Sequence, residues 1–521
     1  MTCLAVPISA ESMDRAKRQI GMALAAGAEM LELRTDYLED LNPALVRALV
    51  REVRDSADAS IPIIATCRDP QQGGARSYPQ QLRIDVLAEA LRAGVEFVDF
   101  EYENYRAPEA RGKIRAALAR SASGRLILSA HNFETKFQNI EKTYRDILAV
   151  VPTAIPKLIY TANHINDCFA AFDLLRQSSG ERIVFCMAEA GLISRILAKK
   201  LGSFLTFASI DAPSATAPGQ LTLKELKELY RYDRIDADTQ LFGVIADPVG
   251  HSLSPAIHNV CFSEQNMNRL YLPLLVQGGQ REFNEFLDNV LSRQWLDFRG
   301  FSVTIPHKHN ALAYMRAKQG FVEPLAEKIG AVNTLVVGPD GKLSAYNTDY
   351  AAALDAITSA LRIDRAALED LAVAIIGAGG VARAIVAGLS DAGAKIKIYN
   401  RTVTKAQKLA GEFKCAHAGL DELPSLDAKL LINCTSVGMH PNVDATPVSK
   451  QYLKKDMAVF DTVYNPVETL LLRQAGEVGA KTIDGLSMFV NQAAAQFRLF
   501  TGRRANAQIM RKTITDCLPQ R

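Results

Sequence analysis

Lys157 lies in the apolar run IPKLIYTA. An ammonium taken out of water loses part of its preference for the charged form, and a neutral amine attacks ketones. Other ionisable residues stand where strand-like runs end. Glu32 and Arg34 close MLELR, Arg68 follows IPIIATC, Glu101 ends VEFVDFE, His131 ends RLILSAH, and Arg195 falls early in the helical segment after RIVFCM. Singly, each reads as a solvated rim residue. Together they predict one ring of acids, bases and cations above a packed core, a setting for proton transfer next to a nucleophilic amine.

The second half holds a different set. Ser252 and Ser254 occupy alternate positions in HSLSP, Thr304 and Lys308 lie in FSVTIPHK, Asn333 in GAVNTL and Asp349 in YNTD. Each suits ordinary turn chemistry, yet their density predicts a site for a polyhydroxylated ligand. Gly377, Gly379 and Ala382 fit GxGxxA between an apolar run, LAVAII, and a helical one, ARAIVAGL. That context marks a dinucleotide turn: one glycine to bend, one to admit the pyrophosphate, and a small residue to pack helix on strand. The whole turn, Gly377, Ala378, Gly379, Gly380, Val381 and Ala382, is expected at the cofactor. The following strand ends in Asn400, Arg401 and Thr402 where an NAD site would carry an acid, and Lys405 adds a charge. A guanidinium there suits a 2′-phosphate, so the expected cofactor is NADP(H).

The elements that must position these groups follow from periodicity. CLAVPI, MLELR, IPIIATC, VEFVDFE, RLILSAH, PKLIYTA, RIVFCM and FLTFAS alternate with amphipathic segments, the pattern of a (β/α)₈ barrel with its site at the strand C-termini. A helix, LTLKELKELY, and a polar linker at about 230–240 end the repeat. LFGVIADPV, LYLPLLV, FRGFSVTI, NTLVVG and KLSAYNT then predict a smaller α/β domain before the dinucleotide domain. The fold class is α/β throughout: a TIM barrel, an α/β substrate domain and a Rossmann domain.

Bulk properties narrow the partners. The formal charge is +3, from 60 basic and 57 acidic side chains, which disfavours nucleic acid as a main partner. No apolar stretch is long enough for a bilayer, and no secretory leader precedes the first strand, so no membrane and a cytoplasmic location are expected. The eight cysteines show no CxxC pair and no metal spacing, so reduced thiols and no metal are expected.

The motifs ELR, SAHNF, the strand lysine, GLISR and TAPGQ resemble type I 3-dehydroquinate dehydratases. HSLSP, SVTIPHK, GAVNT, NTD, GAGG, NRT and DGLSMFVNQA resemble shikimate dehydrogenases. Their order is that of the fused plant-type family. The resemblance implies domains at 1–228 (dehydratase barrel), 240–350 (shikimate-binding, with a C-terminal helix 487–521 packing back) and 351–486 (Rossmann). It implies a Schiff base on Lys157 with 3-dehydroquinate, and His131 as general base and acid. An imine next to the ionising carbon is an electron sink, so a histidine of ordinary basicity suffices. Glu101 would orient and polarise His131. Glu32, Arg34 and Arg68 would hold hydroxyls, Arg195 the carboxylate, and Gln220 would close the site. Thr216 stands where many relatives carry serine and keeps the hydroxyl.

In the second half the resemblance implies reduction of 3-dehydroshikimate to shikimate by NADPH, with Lys308 and Asp349 as the catalytic pair. Ser252 and Ser254 would take the carboxylate, and Thr304, Asn333 and Gln492 the ring hydroxyls. Ser254 and Thr304 favour shikimate over quinate. A quinate-preferring dehydrogenase half, or a non-catalytic sensor built on the same domains, are the alternatives. Oligomeric state is not legible.

Overall fold

The computed structural model describes residues 2–56 and 61–518, and the chain forms two compact units, one of the residues up to Thr239 together with Leu274–Gln277, the other of Gln240–Pro273 and the residues from Gly278 on. In the first, eight strands run β1 (Cys3–Ile8), β2 (Met30–Arg34), β3 (Ile63–Thr66), β4 (Phe97–Glu101), β5 (Arg125–Asn132), β6 (Ile155–Thr161), β7 (Ile183–Met187) and β8 (Leu205–Phe207). Each falls within or against the run that predicted it. All the ladders are parallel, and β1 pairs with both β2 and β8. The β7–β8 seam is joined by Phe204 N–H donating to the Arg182 carbonyl at 2.7 Å.

Side chains two apart share a face of a strand, and the barrel interior is layered accordingly. The floor is apolar: Ala5, Met30, Ile64, Phe97, Ile127, Ile155, Ile183 and Leu205 form one buried cluster. Two residues further along five of these strands the interior turns polar, with Glu32, Thr66, Asp99, Ser129 and Lys157, all buried, while β7 and β8 keep Phe185 and Phe207 there. The register sets Ser129 beside Lys157 and Glu101 beside Ser129.

The segment expected as a polar linker is packed. Tyr230, Tyr232 and Ile235 are buried, Lys199 Nζ donates to the Asp233 carbonyl at 2.9 Å, and Lys200 Nζ to that of Ala237 at 2.7 Å. The helix expected in LTLKELKELY is a short stretch of wider π turns at Glu225–Leu229.

The second unit contains two six-stranded sheets. One, ordered β10-β9-β11-β13-β14-β12, comprises β9 (Gln240–Ala246), β10 (Arg269–Leu275), β11 (Phe298–Val303), β12 (Phe321–Val322), β13 (Thr334–Val337) and β14 (Leu343–Tyr346). The other is parallel, ordered β17-β16-β15-β18-β19-β20, with β15 (Ala372–Ile376), β16 (Lys395–Tyr399), β17 (Ala416–Ala418), β18 (Leu430–Asn433), β19 (Ala458–Asp461) and β20 (Lys481–Ile483). Its order reverses at β15, whose turn into the next helix carries the glycines; such reversals are where open α/β sheets bind ligands. The C-terminal segment forms two helices, Gly485–Thr501 and Ala507–Cys517, where one was expected, with a left-handed Gly502 ending the first. Among the described residues no helix is long and apolar enough to cross a membrane.

Candidate active sites

The barrel cavity, about 80 Å³, is lined by Glu32, Arg34, Arg68, Gln72, His131, Lys157, Arg195, Thr216 and Gln220 with the aromatic rings of Phe133, Phe185 and Phe207. Thus all but one of the barrel residues expected at the site share one space. Glu101 is the exception. It ends β4, but its carboxylate accepts from Arg68 Nη1 (3.1 Å), Arg83 Nη1 (3.0 Å), the Asp69 N–H (2.9 Å) and Asn104 Nδ2 (3.2 Å). The expected orientation of His131 by Glu101 is therefore corrected. Two arginines and a backbone amide claim the carboxylate, and the hydrogen bonds to His131 come from Gln72, whose Oε1 meets the His131 N–H at 3.0 Å and Nδ1 at 3.2 Å.

Lys157 is also not in apolar surroundings at its head. Its Nζ donates to Asp99 Oδ2 at 2.7 Å and stands 3.6 Å from Glu32 Oε1. Burial alone would raise the Asp99 carboxyl, but Arg68 and Lys157 outweigh it and hold Asp99 well below the usual carboxylate range. For His131, burial acts first and the cations Arg68 and Lys157 add to it, so the imidazole is pushed well below its ordinary pKa. The imidazole is therefore kept neutral near pH 7.

Arg195 differs from the other buried cations. It is 2% exposed, its Nε and Nη2 have no hydrogen-bond partner, and desolvation draws its pKa down to about 10. Its guanidinium lies 4.5 Å over the Phe185 ring, and Lys157 Nζ lies 4.7 Å from Phe207. The short helix Leu192–Ile196 that carries Arg195 is tied to β7 by Ser194 Oγ, which accepts from the Cys186 N–H at 2.8 Å. An unpaired buried cation is costly unless an anion arrives. The loop with Thr216 and Gln220 lies against the end of β7: a Cβ on Gly219, whose φ is +74°, would stand 2.5 Å from the Ala188 carbonyl oxygen. Gln220 Oε1 accepts from the Thr216 N–H (2.8 Å) and hydroxyl (3.2 Å), leaving its buried Nε2 without a partner.

The second cavity is larger, about 450 Å³, and gathers Ser252, Ser254, Thr304, Lys308, Asn333, Asp349, Gln492 and Gln496 with Val381, Tyr464 and Met488. Lys308 opens the helix Lys308–Ala317. Asn347 caps the helix Thr348–Leu361 by accepting from the Asp349 N–H, which fixes Asp349 in its first turn. The Lys308 ammonium donates to Asp349 Oδ2 at 2.5 Å, and Asn333 Nδ2 donates to Oδ1 at 2.9 Å. Behind them Tyr271 OH donates to Ser302 Oγ (2.6 Å), Ser302 to Gln496 Oε1 (2.7 Å), and Gln496 Nε2 to the Asn333 carbonyl (3.2 Å). Tyr464, Met488 and Gln496 escaped the sequence reading. Gln496 was within reach of it, since four residues after Gln492 is the same helix face.

The glycine turn lies beside a third cavity of about 450 Å³, lined by Ala378, Gly379, Gly380, Lys405 and Lys408 among others. Gly377, with φ +110°, bends the chain into the helix Gly380–Asp391. A Cβ at Gly379 or Gly380 would meet nothing within 4 Å, so an open cradle flanks that helix N-terminus, and Ala382 is packed beneath it. Arg401, Thr402 and Lys405 are exposed, Asn400 Nδ2 is spent on the Thr402 carbonyl (2.8 Å), and among the described residues no ion pair engages Arg401 or Lys405. These features fit a bound phosphorylated dinucleotide.

Known families match successive stretches of the chain. Residues 4–237 match the family model of type I 3-dehydroquinase, 244–335 that of the shikimate dehydrogenase substrate binding domain, 359–468 that of shikimate / quinate 5-dehydrogenase, and 485–515 that of the shikimate 5'-dehydrogenase C-terminal domain. The chain is 35% identical over 535 residues to the chloroplastic bifunctional 3-dehydroquinate dehydratase/shikimate dehydrogenase of Arabidopsis thaliana, covering 97% of this chain and 83% of that one. It is 41% identical over 288 residues to the shikimate dehydrogenase (NADP(+)) of Methanosarcina barkeri, covering 54% and 99%. A solved shikimate dehydrogenase in complex with NADP+ superposes with a TM-score of 0.50 and 36% identity, over 55% of this chain and 98% of that one.

Proposed function

This chain belongs to the family of bifunctional 3-dehydroquinate dehydratases/shikimate dehydrogenases, and from that premise we propose which of its residues carry each reaction and with which ligands. It is both a lyase and an oxidoreductase of the shikimate pathway. We assign the barrel with its packed extension, residues 1–239, to the dehydratase, 240–350 with the C-terminal helices to shikimate binding, and 351–486 to NADP binding.

In the barrel, Arg195 takes the carboxylate of 3-dehydroquinate, and Glu32, Arg34, Arg68, Thr216 and Gln220 meet its hydroxyls. Lys157 condenses with the ketone. His131 removes a proton from the carbon next to the resulting iminium and delivers it to the leaving hydroxyl, which departs as water. Hydrolysis then frees 3-dehydroshikimate and the lysine. A neutral imidazole at pH 7, as burial and the neighbouring cations favour, is the form that can accept that proton. The observation that carries this reading is the buried, unpartnered Arg195 guanidinium in the same small cavity as Lys157. Glu101 acts behind the site, anchoring Arg68.

In the second unit, NADPH supplies the hydride when bound. The chain's own residues do the rest: Lys308 donates a proton to the ketone oxygen as it becomes a hydroxyl, and Asp349 holds the ammonium and that hydroxyl. Ser252 and Ser254 bind the carboxylate, while Thr304, Asn333 and Gln492 bind ring hydroxyls. The glycine turn from Gly377 to Ala382 would hold the pyrophosphate, and Asn400, Arg401, Thr402 and Lys405 the phosphorylated ribose. Ser254 favours shikimate over quinate. All eight cysteines are free, which fits the reducing cytoplasm.

A coupled assay tests both halves. Supplied with 3-dehydroquinate and NADPH, the chain consumes NADPH and forms shikimate, and borohydride added with 3-dehydroquinate leaves a covalent adduct on Lys157. A protein of unchanged mass after that treatment would sink the imine mechanism.

A further inference from the structure

We propose that Asp99 is a positioning residue of the dehydratase: the fixed counterion that holds the Lys157 nitrogen in place through every stage of imine formation. This rests on Lys157 forming the imine, and it adds a residue that none of the recognised motifs marks.

Asp99 sits in the middle of β4, 1% exposed, beneath the cavity that Lys157 lines. Both of its oxygens are engaged. Oδ2 accepts from Lys157 Nζ (2.7 Å) and Arg68 Nη2 (2.7 Å); Oδ1 accepts from Arg68 Nη1 (3.0 Å) and Ser129 Oγ (2.6 Å). The bidentate arginine and the serine hydroxyl fix the carboxylate plane, so the direction of the Lys157 contact is fixed with it. The other nearby acid, Glu32, stands farther off at 3.6 Å, lines the cavity, and has the same Oε1 committed to Thr66 Oγ1 at 2.8 Å.

The reaction's own balance explains why a permanent anion is needed there. An ammonium and a ketone become an iminium and one water: three hydrogens on nitrogen become one, and two leave with the ketone oxygen. Nitrogen bears one positive charge before and after, so a partner that stays ionised serves both states. Arg68 and Lys157 hold the Asp99 carboxyl well down, which makes it a steady anion and a poor proton carrier. Proton traffic is left to His131, and Asp99 acts through the lysine without touching substrate.

The test uses the full chain carrying Asp99→Asn, which keeps the shape and removes the charge. Borohydride trapping of 3-dehydroquinate on Lys157 and kcat for dehydration are each expected to fall about 100-fold or more, a loss typical of a buried charge left without its partner. KM is expected to stay within about threefold, since the substrate contacts remain, and shikimate oxidation by the same sample stays at the wild-type rate. Trapping and kcat within about fivefold of wild type, or a loss confined to KM, would overturn the counterion role. If Asp99→Asn does not fold, Ser129→Ala decides: freeing one carboxylate oxygen is expected to lower kcat about tenfold at unchanged KM, and no change overturns the proposal. A wild-type chain that forms no adduct overturns the imine itself, whereas adduct in wild type with undiminished trapping in Asp99→Asn overturns only the counterion.

Discussion

The two cavities solve the problem of a hydroxylated cyclohexane carboxylate in opposite ways. The barrel site is cramped, about 80 Å³, and built on buried charge: Arg34, Arg68, Lys157 and Arg195 against Glu32 and Asp99. The second site is several times roomier, about 450 Å³, and its polar lining is mostly hydroxyls and amides, with the Lys308–Asp349 pair as its ionic centre. The difference follows from the chemistry assigned to each. Making and breaking a bond to a lysine places a cation on the substrate itself, which a low-dielectric site must neutralise with groups already in position. Reduction by a second molecule needs space for that molecule and one proton donor, so hydrogen-bonding groups suffice and buried charge can be kept low.

The sharpest way to break this contrast is a reciprocal pair of substitutions. Lys157→Ala is expected to cost at least about 10⁴-fold in dehydration and leave shikimate oxidation unchanged; Lys308→Ala should cost roughly 10³-fold in oxidation and leave dehydration unchanged. Loss of both activities in either folded variant would mean that the sites are not independent. Next in size is Arg195→Leu. Removing the unpaired guanidinium is expected to raise KM for 3-dehydroquinate about 10- to 100-fold, and to raise the melting temperature of the ligand-free chain by roughly 2 °C because an uncompensated buried charge is gone. A variant that loses both substrate affinity and stability would show that Arg195 has a structural partner after all.

The pH dependence sharpens the comparison further. His131 must be neutral to act as a base, and its pKa is depressed, so activity persists as pH falls below 6.5 and is lost only on passing the lowered value. At pH 5.5 a histidine at its ordinary pKa would retain about a tenth of the maximum; dehydration kcat/KM here is expected to retain most of it. An acid limb at 6.5 in the dehydratase pH profile would contradict the burial argument. The smallest effect belongs to the open cofactor cleft: Arg401→Ala is expected to raise KM for NADPH about fivefold, a solvent-screened loss, with KM for NADH unchanged.

The sequence carried the architecture because both periodicities were undisturbed. Eight short β-branched or apolar runs between amphipathic segments leave few alternatives to a barrel, and the GxGxxA turn came with its strand and helix. Site residues were legible where they ended a strand or belonged to a motif, as Arg195 and Lys308 did. Asp99 was missed because it lies mid-strand in VEFVDFE; the signal was its two-residue spacing from Glu101, which places both on the inner face. The role given to Glu101 failed for a related reason: Arg83, on the helix Gln80–Arg92, and Asn104 reach its carboxylate, and neither position is predictable from strand patterning. Gln72, which meets His131, sits in a short loop turn with no pattern to announce it.

The packed segment after the barrel bears on how such a chain is divided or recombined. Because Tyr230, Tyr232 and Ile235 are buried and the ammonium groups of Lys199 and Lys200 are latched to carbonyls of residues 232–237, the dehydratase does not end where its last repeat ends. A gene cut at codon 228 would strip the barrel of its own clasp, while one at codon 239 would keep it. The tether of this fusion is, in its first stretch, already part of the cargo.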